Sequence, residues 1–321
     1  MKIVTYYRQG SARLGFLQGE WILDPLEALP PGAAERAHFS DTIAFISSGD
    51  AGLSAAKALL AVGDRHKGAQ IKAADAKLAP PLMPSTILCS GSNYHDHNRE
   101  KAAAPISGKE PEFFVKTADC VIGPGASIVH DTTLTKKLDC ETELAIVIGK
   151  PGRHIPVERA LEHVFGYTIV NDVTARDRQV RKKPDGSTWY ELGRGKVFDS
   201  SAPIGPCIAT ADEVGDPQKL KLQTRINGEL RQSSSTANMI WSCAELIHFF
   251  SINLTLKPGM VIITGTPGGT AWSTDPELGG KWVGGDGSQE LVPAKGYCKA
   301  GDRIECELEK IGVLRNTVAA A

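Results

Sequence analysis

Apolar positions along this chain fall mostly in short runs rather than in long helical stripes. Lys2 to Tyr6, Ala12 to Leu17 and Trp21 to Ile22 are strand-like stretches separated by glycines, the pattern of a meander of hairpins. Ala51 to Val62 is rich in alanine and leucine and favours a helix. Farther on, Thr86-Ile87-Leu88-Cys89, Leu144 to Ile148, Tyr167 to Val170 and Val261 to Thr264 are apolar or β-branched runs of strand length. Asn227-Gly228, set between Arg225-Ile226 and Glu229-Leu230, is a strong hairpin signal. Val157 to Phe165 and about Met239 to Phe250 read as helical. Strands outnumber helices and do not alternate with them, which excludes a regular βα architecture and predicts an α+β, mainly β fold.

Leu78-Ala79-Pro80-Pro81-Leu82-Met83-Pro84 favours an extended crossing, because proline fixes φ and removes a donor. The boundary is placed there: a small β-rich N-terminal domain over 1–75, then a larger domain over 76–321. A stretch from about 271 to 296 is rich in glycine and long enough to be functional.

Composition narrows the function. Lys+Arg number 36 against 37 Asp+Glu in 321 residues, a net charge of -1, so there is no electrostatic footprint for a nucleic-acid backbone. No apolar run approaches the roughly 20 residues of a membrane-spanning helix. The start, Met1-Lys2-Ile3-Val4, turns polar at Tyr6-Tyr7-Arg8-Gln9 and lacks the apolar core of a signal peptide. A cytoplasmic protein is expected, with no nucleic-acid or membrane partner. The 7 cysteines are scattered and form no C-x-x-C pair, so they read as small core hydrophobes in a reducing cytosol. Gly193-Arg194-Gly195-Lys196 lacks the spacing of a phosphate loop, and nucleotide binding is not expected.

The chemistry begins at Leu138-Asp139-Cys140-Glu141-Thr142-Glu143-Leu144, where two glutamates two positions apart feed an apolar strand. On a strand that spacing puts both carboxylates on one face, where like charges need a counter-ion or open water. Tyr167-Thr168-Ile169-Val170-Asn171-Asp172 is a second apolar strand with an acid at its end. Glu141, Glu143 and Asp172 together would offer three oxygen ligands and neither sulfur nor nitrogen, a set suited to Mg²⁺, Mn²⁺ or Ca²⁺ rather than zinc. On spacing alone, solvated strand ends stand level with a cation site, because E-x-E is common.

Asn93-Tyr94-His95-Asp96-His97-Asn98-Arg99-Glu100 follows the strand at 86–89. If helical, it places His97 and Glu100 on one face, where the carboxylate fixes the imidazole's tautomer and makes it a general base. A zinc site on His95-x-His97 is disfavoured, since residues two apart do not share a helical face. A polar connector with two surface histidines remains the plain alternative.

The order of these segments resembles the fumarylacetoacetate hydrolase family over residues 84 to 318. The run Asn93 to Glu100, Phe113-Phe114-Val115-Lys116, Glu141 to Leu144 and Asn171-Asp172-Val173-Thr174-Ala175-Arg176-Asp177 come first. Gly195-Lys196-Val197-Phe198-Asp199, Gly205-Pro206, Asn227-Gly228-Glu229, Thr264-Gly265-Thr266-Pro267 and Gly301-Asp302 ahead of Ile311-Gly312 complete it. The resemblance implies a mixed β-roll or β-sandwich fold, usually a homodimer, with one Mg²⁺ or Mn²⁺ held by Glu141, Glu143 and Asp172. It implies that Lys196 lies beside the metal and that His97 with Glu100 sits on a lid. Arg176, Gln179 and Thr266 would hold the substrate carboxylate and its neighbouring oxygen, with Tyr94 as a further substrate-facing residue. The expected substrate is a small anionic 2-oxo or β-diketo acid. The expected reaction is hydrolysis of the C–C bond of an acylpyruvate-type acid, with His97 and Glu100 activating water. Tautomerisation, hydration or decarboxylation of related 2-oxo acids at the same site is the alternative. After Thr266-Pro267 the chain reads Gly268-Gly269-Thr270-Ala271, not the family's glycine-valine-glycine type turn, and the 271–296 insertion follows.

Overall fold

In a computed structural model the chain is described over residues 1–62, 68–101, 109–284 and 291–321. Its backbone is one 12-stranded sheet backed by a five-stranded one. The centre of the large sheet is the strand Thr142–Ile148, antiparallel to Val164–Asn171 on one side and to Val261–Ile263 on the other. Every residue of Thr142–Ile148 is buried. Leu144, Ile146 and Ile148 enter one apolar core, while Ala145 and Val147 enter a second on the opposite face. A strand covered on both sides has no solvent face to mark with polar residues, which is why this segment reads as an unbroken apolar run.

The first core lies between the large sheet and the second, whose strands run in the order Glu229–Ser235, Lys221–Ile226, Arg303–Leu308, Gly312–Ala320 and Ser127–His130. The helix Cys243–Asn253 closes that core with Leu246, Ile247 and Phe250. It begins later than the apolar pattern implies, because Ser242 and Glu245 form a reciprocal capping box that fixes its first turn. The predicted helix over 157–165 is a 3₁₀ segment only to His163. Val164 already pairs with Ile148, so cross-strand pairing overrides local helical preference at its end. The Asn227-Gly228 hairpin forms as expected, with φ of 54° and 82° at its two central residues, the handedness that suits twisted strands.

The leading strands Lys2–Arg8, Ser11–Gln18 and Trp21–Leu23 form the expected meander. They share the large sheet with the rest of the chain: Lys2 pairs with Ala209 and Ile3 with Ile208. The helix Gly49–Ala61 covers the same face as Phe16 and Phe45. No described helix is long and apolar enough to cross a membrane. All seven cysteines are free and buried.

Candidate metal centre

Strand register assembles the acidic group. Thr142 pairs with Asn171 and Glu143 with Val170, which sets Asp172 beside Glu141. Asp172 N donates to Glu141 O at 2.9 Å, and Glu141 N donates to Asn171 Oδ1 at 2.9 Å, locking the two strand ends together. Glu141, Glu143 and Asp172 each present a carboxylate oxygen, all within 4.8 Å of one another and all buried. His95 belongs to no such group among the described residues.

Buried carboxylates this close repel and need positive charge. Lys196 supplies part of it, with Nζ 2.7 Å from Glu141 Oε2 and 2.6 Å from Asp172 Oδ2. Lys116 Nζ lies 2.9 Å from Asp172 Oδ1, a charge contact off the hydrogen-bonding direction. Lys116 also donates to Ser201 O at 2.8 Å, to Val173 O at 3.3 Å and to Lys196 O. Arg176 donates from Nε to Asp139 Oδ2 at 2.9 Å, from Nη1 to Gln179 Oε1 at 2.9 Å, and from Nη2 to Glu141 Oε1. Burial works to raise the Glu141 carboxyl, but the Arg176 and Lys196 charges outweigh it and hold the group down at about 2.

Glu143 is different. It accepts from Gly265 N at 2.6 Å and has no basic partner among the described residues. Burial, then Asp172 and Glu141, push its carboxyl well above the usual range. Four buried carboxylates (Asp139, Glu141, Glu143, Asp172) thus face three buried cations (Lys116, Arg176, Lys196), and the shortfall sits at Glu143. An oxygen-only donor set short of positive charge fits a divalent ion of the Mg²⁺ or Mn²⁺ kind.

His97 borders the same space, with Glu100 behind it. The segment His95–Arg99 is helical, and His97 Nδ1 lies 3.2 Å from Glu100 Oε2. Glu100 is held in turn by Gly269 N, which donates to Oε1 at 2.8 Å. Gly269 has φ +105°, and a Cβ there would meet Arg231 O at 1.9 Å, so the Gly268-Gly269 variation on the family turn is the part that grips Glu100. The His97 ring packs edge-on against Trp272, 5.5 Å between centroids.

A cavity of about 40 Å³ is lined by the acidic triad together with His97, Glu112, Arg176, Gln179, Lys196 and Thr266. It adjoins a vestibule of about 430 Å³ that shares His97, Glu112, Arg176 and Gln179 and adds Lys101, Phe113, Tyr190 and Trp272. Thr266 Oγ1 donates to Thr142 O at 3.0 Å and accepts from Gln232 Nε2 at 2.9 Å. Tyr94 is not brought into this group. Its ring is fully buried in the first apolar core and lines neither space.

Three residues of the site carry no role in the sequence reading. Lys116 had a signal: strand alternation puts it on the inward face with Phe114. Asp139 continues the every-second-residue spacing of Glu141 and Glu143, but its strand pairs with Thr174–Ala175, so it turns to Arg176 instead of joining the triad. Trp272, at the start of the 271–296 insertion, reaches His97 only through tertiary folding, with its backbone N–H donating to Asp139 Oδ2 at 3.0 Å. Residues 285–290 of that insertion lie outside the described residues.

The strand-framed, buried three-carboxylate centre with its adjoining His–Glu pair sits within a known enzyme family. The family model for the fumarylacetoacetate (FAA) hydrolase C-terminal domain matches residues 86–319, and the chain belongs to that family. It is 39% identical over 241 residues to the mitochondrial oxaloacetate tautomerase FAHD2B of Bos taurus, covering 75% of this chain and 68% of that protein. It is also 39% identical over 241 residues to the oxaloacetate tautomerase YisK of Bacillus subtilis (strain 168), covering 75% and 72%. Among solved structures it resembles a fumarylacetoacetate hydrolase from Exiguobacterium antarcticum, with TM-score 0.74, 32% identity and 100% of both chains covered. Maleylpyruvate hydrolase from Sphingobium sp. SYK-6, solved with manganese(II) and pyruvate, matches with TM-score 0.74, 26% identity and 100% of both chains covered.

Proposed function

We propose that this chain is a divalent-metal-dependent enzyme that interconverts the enol and keto forms of a small 2-oxo acid of the oxaloacetate type. The observation that carries this reading is the convergence of the carboxylate triad and His97, which is backed by Glu100, on one cavity of about 40 Å³. Glu141, Glu143 and Asp172 would hold Mg²⁺ or Mn²⁺. When bound, the cation supplies Lewis-acid polarisation of the keto and carboxylate oxygens. His97, oriented by Glu100, transfers a proton to the carbon next to the keto group while the enol oxygen gives up its own, and the reverse for enolisation. Lys196 places an ammonium group where negative charge develops. Arg176, Gln179 and Thr266 line the space that receives the substrate carboxylate. The names of the relatives at 39% identity support the tautomerase reading.

The vestibule of about 430 Å³, walled by Phe113, Tyr190 and Trp272, favours a second reading, because it leaves room for an acyl group beyond a pyruvate unit. In C–C hydrolysis of an acylpyruvate, His97 would take a proton from water as its oxygen bonds to the distal carbonyl. The C–C bond then breaks, its electron pair leaves with the pyruvate half, and a proton returns there. The Sphingobium neighbour is a hydrolase by name.

One pair of assays separates the readings: the decay of enol-oxaloacetate absorbance, and pyruvate release from an acylpyruvate, each with and without Mg²⁺. Metal-dependent enol decay without pyruvate release supports the tautomerase, and the reverse supports the hydrolase. Neither activity overturns both. We take the assembly to be a homodimer, on the family resemblance. A reducing compartment such as the cytoplasm fits seven free cysteines, although the mammalian relatives are named as mitochondrial.

A further inference from the structure

We infer that the chain carries a second ligand site, for a small oxyanion, behind the loop 266–272 and apart from the metal centre. The motive is a cavity of about 410 Å³ lined by Arg231, Thr270, Lys295 and Lys299. Arg231 is the extra residue of a β-bulge: Gln232 pairs with Thr224 and Leu230 with Arg225, and Arg231 faces no partner. A bulge of this kind re-aims a side chain. Only 10% of the Arg231 side chain is exposed. Its Nη2 donates to Glu229 Oε2 at 2.8 Å, but Nε and Nη1 are buried with no hydrogen-bond partner among the described residues. The Thr270 hydroxyl, on the same wall, is also buried and unpartnered.

The acids of the wall, by contrast, have their donors. Asp139 accepts from Arg176 Nε, Ala271 N and Trp272 N. Asp302 accepts from Asn227 Nδ2 at 2.9 Å and Lys299 N at 2.8 Å. Glu229 is paired with Arg231 and with Lys295 Nζ at 3.3 Å. What the cavity lacks is therefore acceptors, since buried N–H groups without them are unfavourable and rare. A guanidinium with unpartnered Nε–H and Nη1–H groups, a hydroxyl and a lysine at the rim match a carboxylate or a phosphate group.

The site touches the back of the catalytic loop. Arg231 O lies against Gly269, whose N–H holds Glu100, and the neighbouring Gln232 donates to Thr266 Oγ1 at 2.9 Å and Pro267 O at 2.8 Å. An anion gripping Arg231 and Thr270 draws together the strand and the loop that position Glu100 and Thr266. It acts as an effector rather than a substrate.

The test is calorimetric titration of the Mg²⁺-loaded protein, its metal centre first saturated with oxalate, using sulfate and acetate as separate probes. Binding of one equivalent of sulfate alone supports a phosphate-type ligand, and of acetate alone a carboxylate. Either is expected to weaken at least tenfold in Arg231→Gln and several-fold in Thr270→Val, the latter retaining fold and volume should the former fail to fold. Uptake of neither probe by the unaltered protein, or equal affinity in Thr270→Val and any folded Arg231→Gln, overturns the site. Failure of oxalate to bind would count against the metal centre instead, leaving the comparison of Arg231→Gln with the unaltered protein intact.

Discussion

Arg176 bridges Asp139 and Glu141, with Nε 2.9 Å from Asp139 Oδ2 and Nη2 donating to Glu141 Oε1. Through Asp139, which also accepts from Ala271 N and Trp272 N, both at 3.0 Å, it ties the wall beside His97 to the acidic triad. The planar fork of a guanidinium reaches both carboxylates, whereas a lysine ammonium is a single point of contact. Breaking a buried pair by removing one partner costs about 3–5 kcal/mol. Arg176→Met, which takes the cation away from both carboxylates, should therefore lower the melting temperature by roughly 10 °C for a chain of this size. A thermal melt within about 2 °C of the unaltered protein would show that Arg176 does not perform this bridging.

Glu143 and Glu141 pull stability in opposite directions with pH. A carboxyl raised above its unfolded value, as at Glu143, favours the folded state while protonated. That contribution fades as pH climbs from the ordinary value near 4.5 through the raised one. Glu141, held at about 2, stabilises the fold above its ordinary value of 4.5 and loses that contribution as pH falls toward 2. Without metal, Glu143→Gln should gain in melting temperature over the unaltered chain increasingly as pH rises above about 4.5. Added Mn²⁺ should stabilise the unaltered chain at pH 7 and leave the variant nearly unchanged. Equal Mn²⁺ stabilisation of both would remove Glu143 from the ligand set.

His97→Ala removes the proton carrier while leaving every carboxylate of the triad in place. Turnover should fall by about 10²–10⁴, the usual worth of a general base, with Mn²⁺ affinity unchanged by electron paramagnetic resonance. Glu100→Gln should produce a smaller loss of the same kind, because it loosens the imidazole without deleting it. Full activity in His97→Ala would take the proton step away from this residue.

Lys116 is wholly buried, and its ammonium satisfies the carbonyls of Val173, Lys196 and Ser201 beside Asp172. Lys116→Met leaves those acceptors and the Asp172 charge without it, at a cost of about 3–5 kcal/mol. The expected result is a large drop in the melting temperature of the metal-free protein. A variant as stable as the unaltered protein would show that Lys196 alone balances Asp172.

Much of this is legible in the sequence. The apolar runs at Leu144 to Ile148 and Tyr167 to Val170 are strands, and Asn227-Gly228 is a hairpin turn, because period and turn chemistry are local properties. Glu141, Glu143 and Asp172 were visible as a possible ligand set from side-chain type and strand position. The 3₁₀ end at His163 was not, since Val164 leaves the helical path for a partner strand that no local preference reveals. Nor was the placing of Tyr94, whose ring enters the first apolar core through contacts that no local pattern reveals.

The chain's own order of residues determined which groups can do chemistry here: acids two apart, a histidine three before a glutamate, and a lysine after glycines. Tertiary structure alone decided which of them meet. The pairing of Thr142 with Asn171 sets Asp172 beside Glu141, and the turn at Gly269 carries a backbone N–H to Glu100. Register and loop contact join residues far apart in sequence, and their energies depend on desolvation and charge in a shared interior. That environment exists only once the sheet has closed around it.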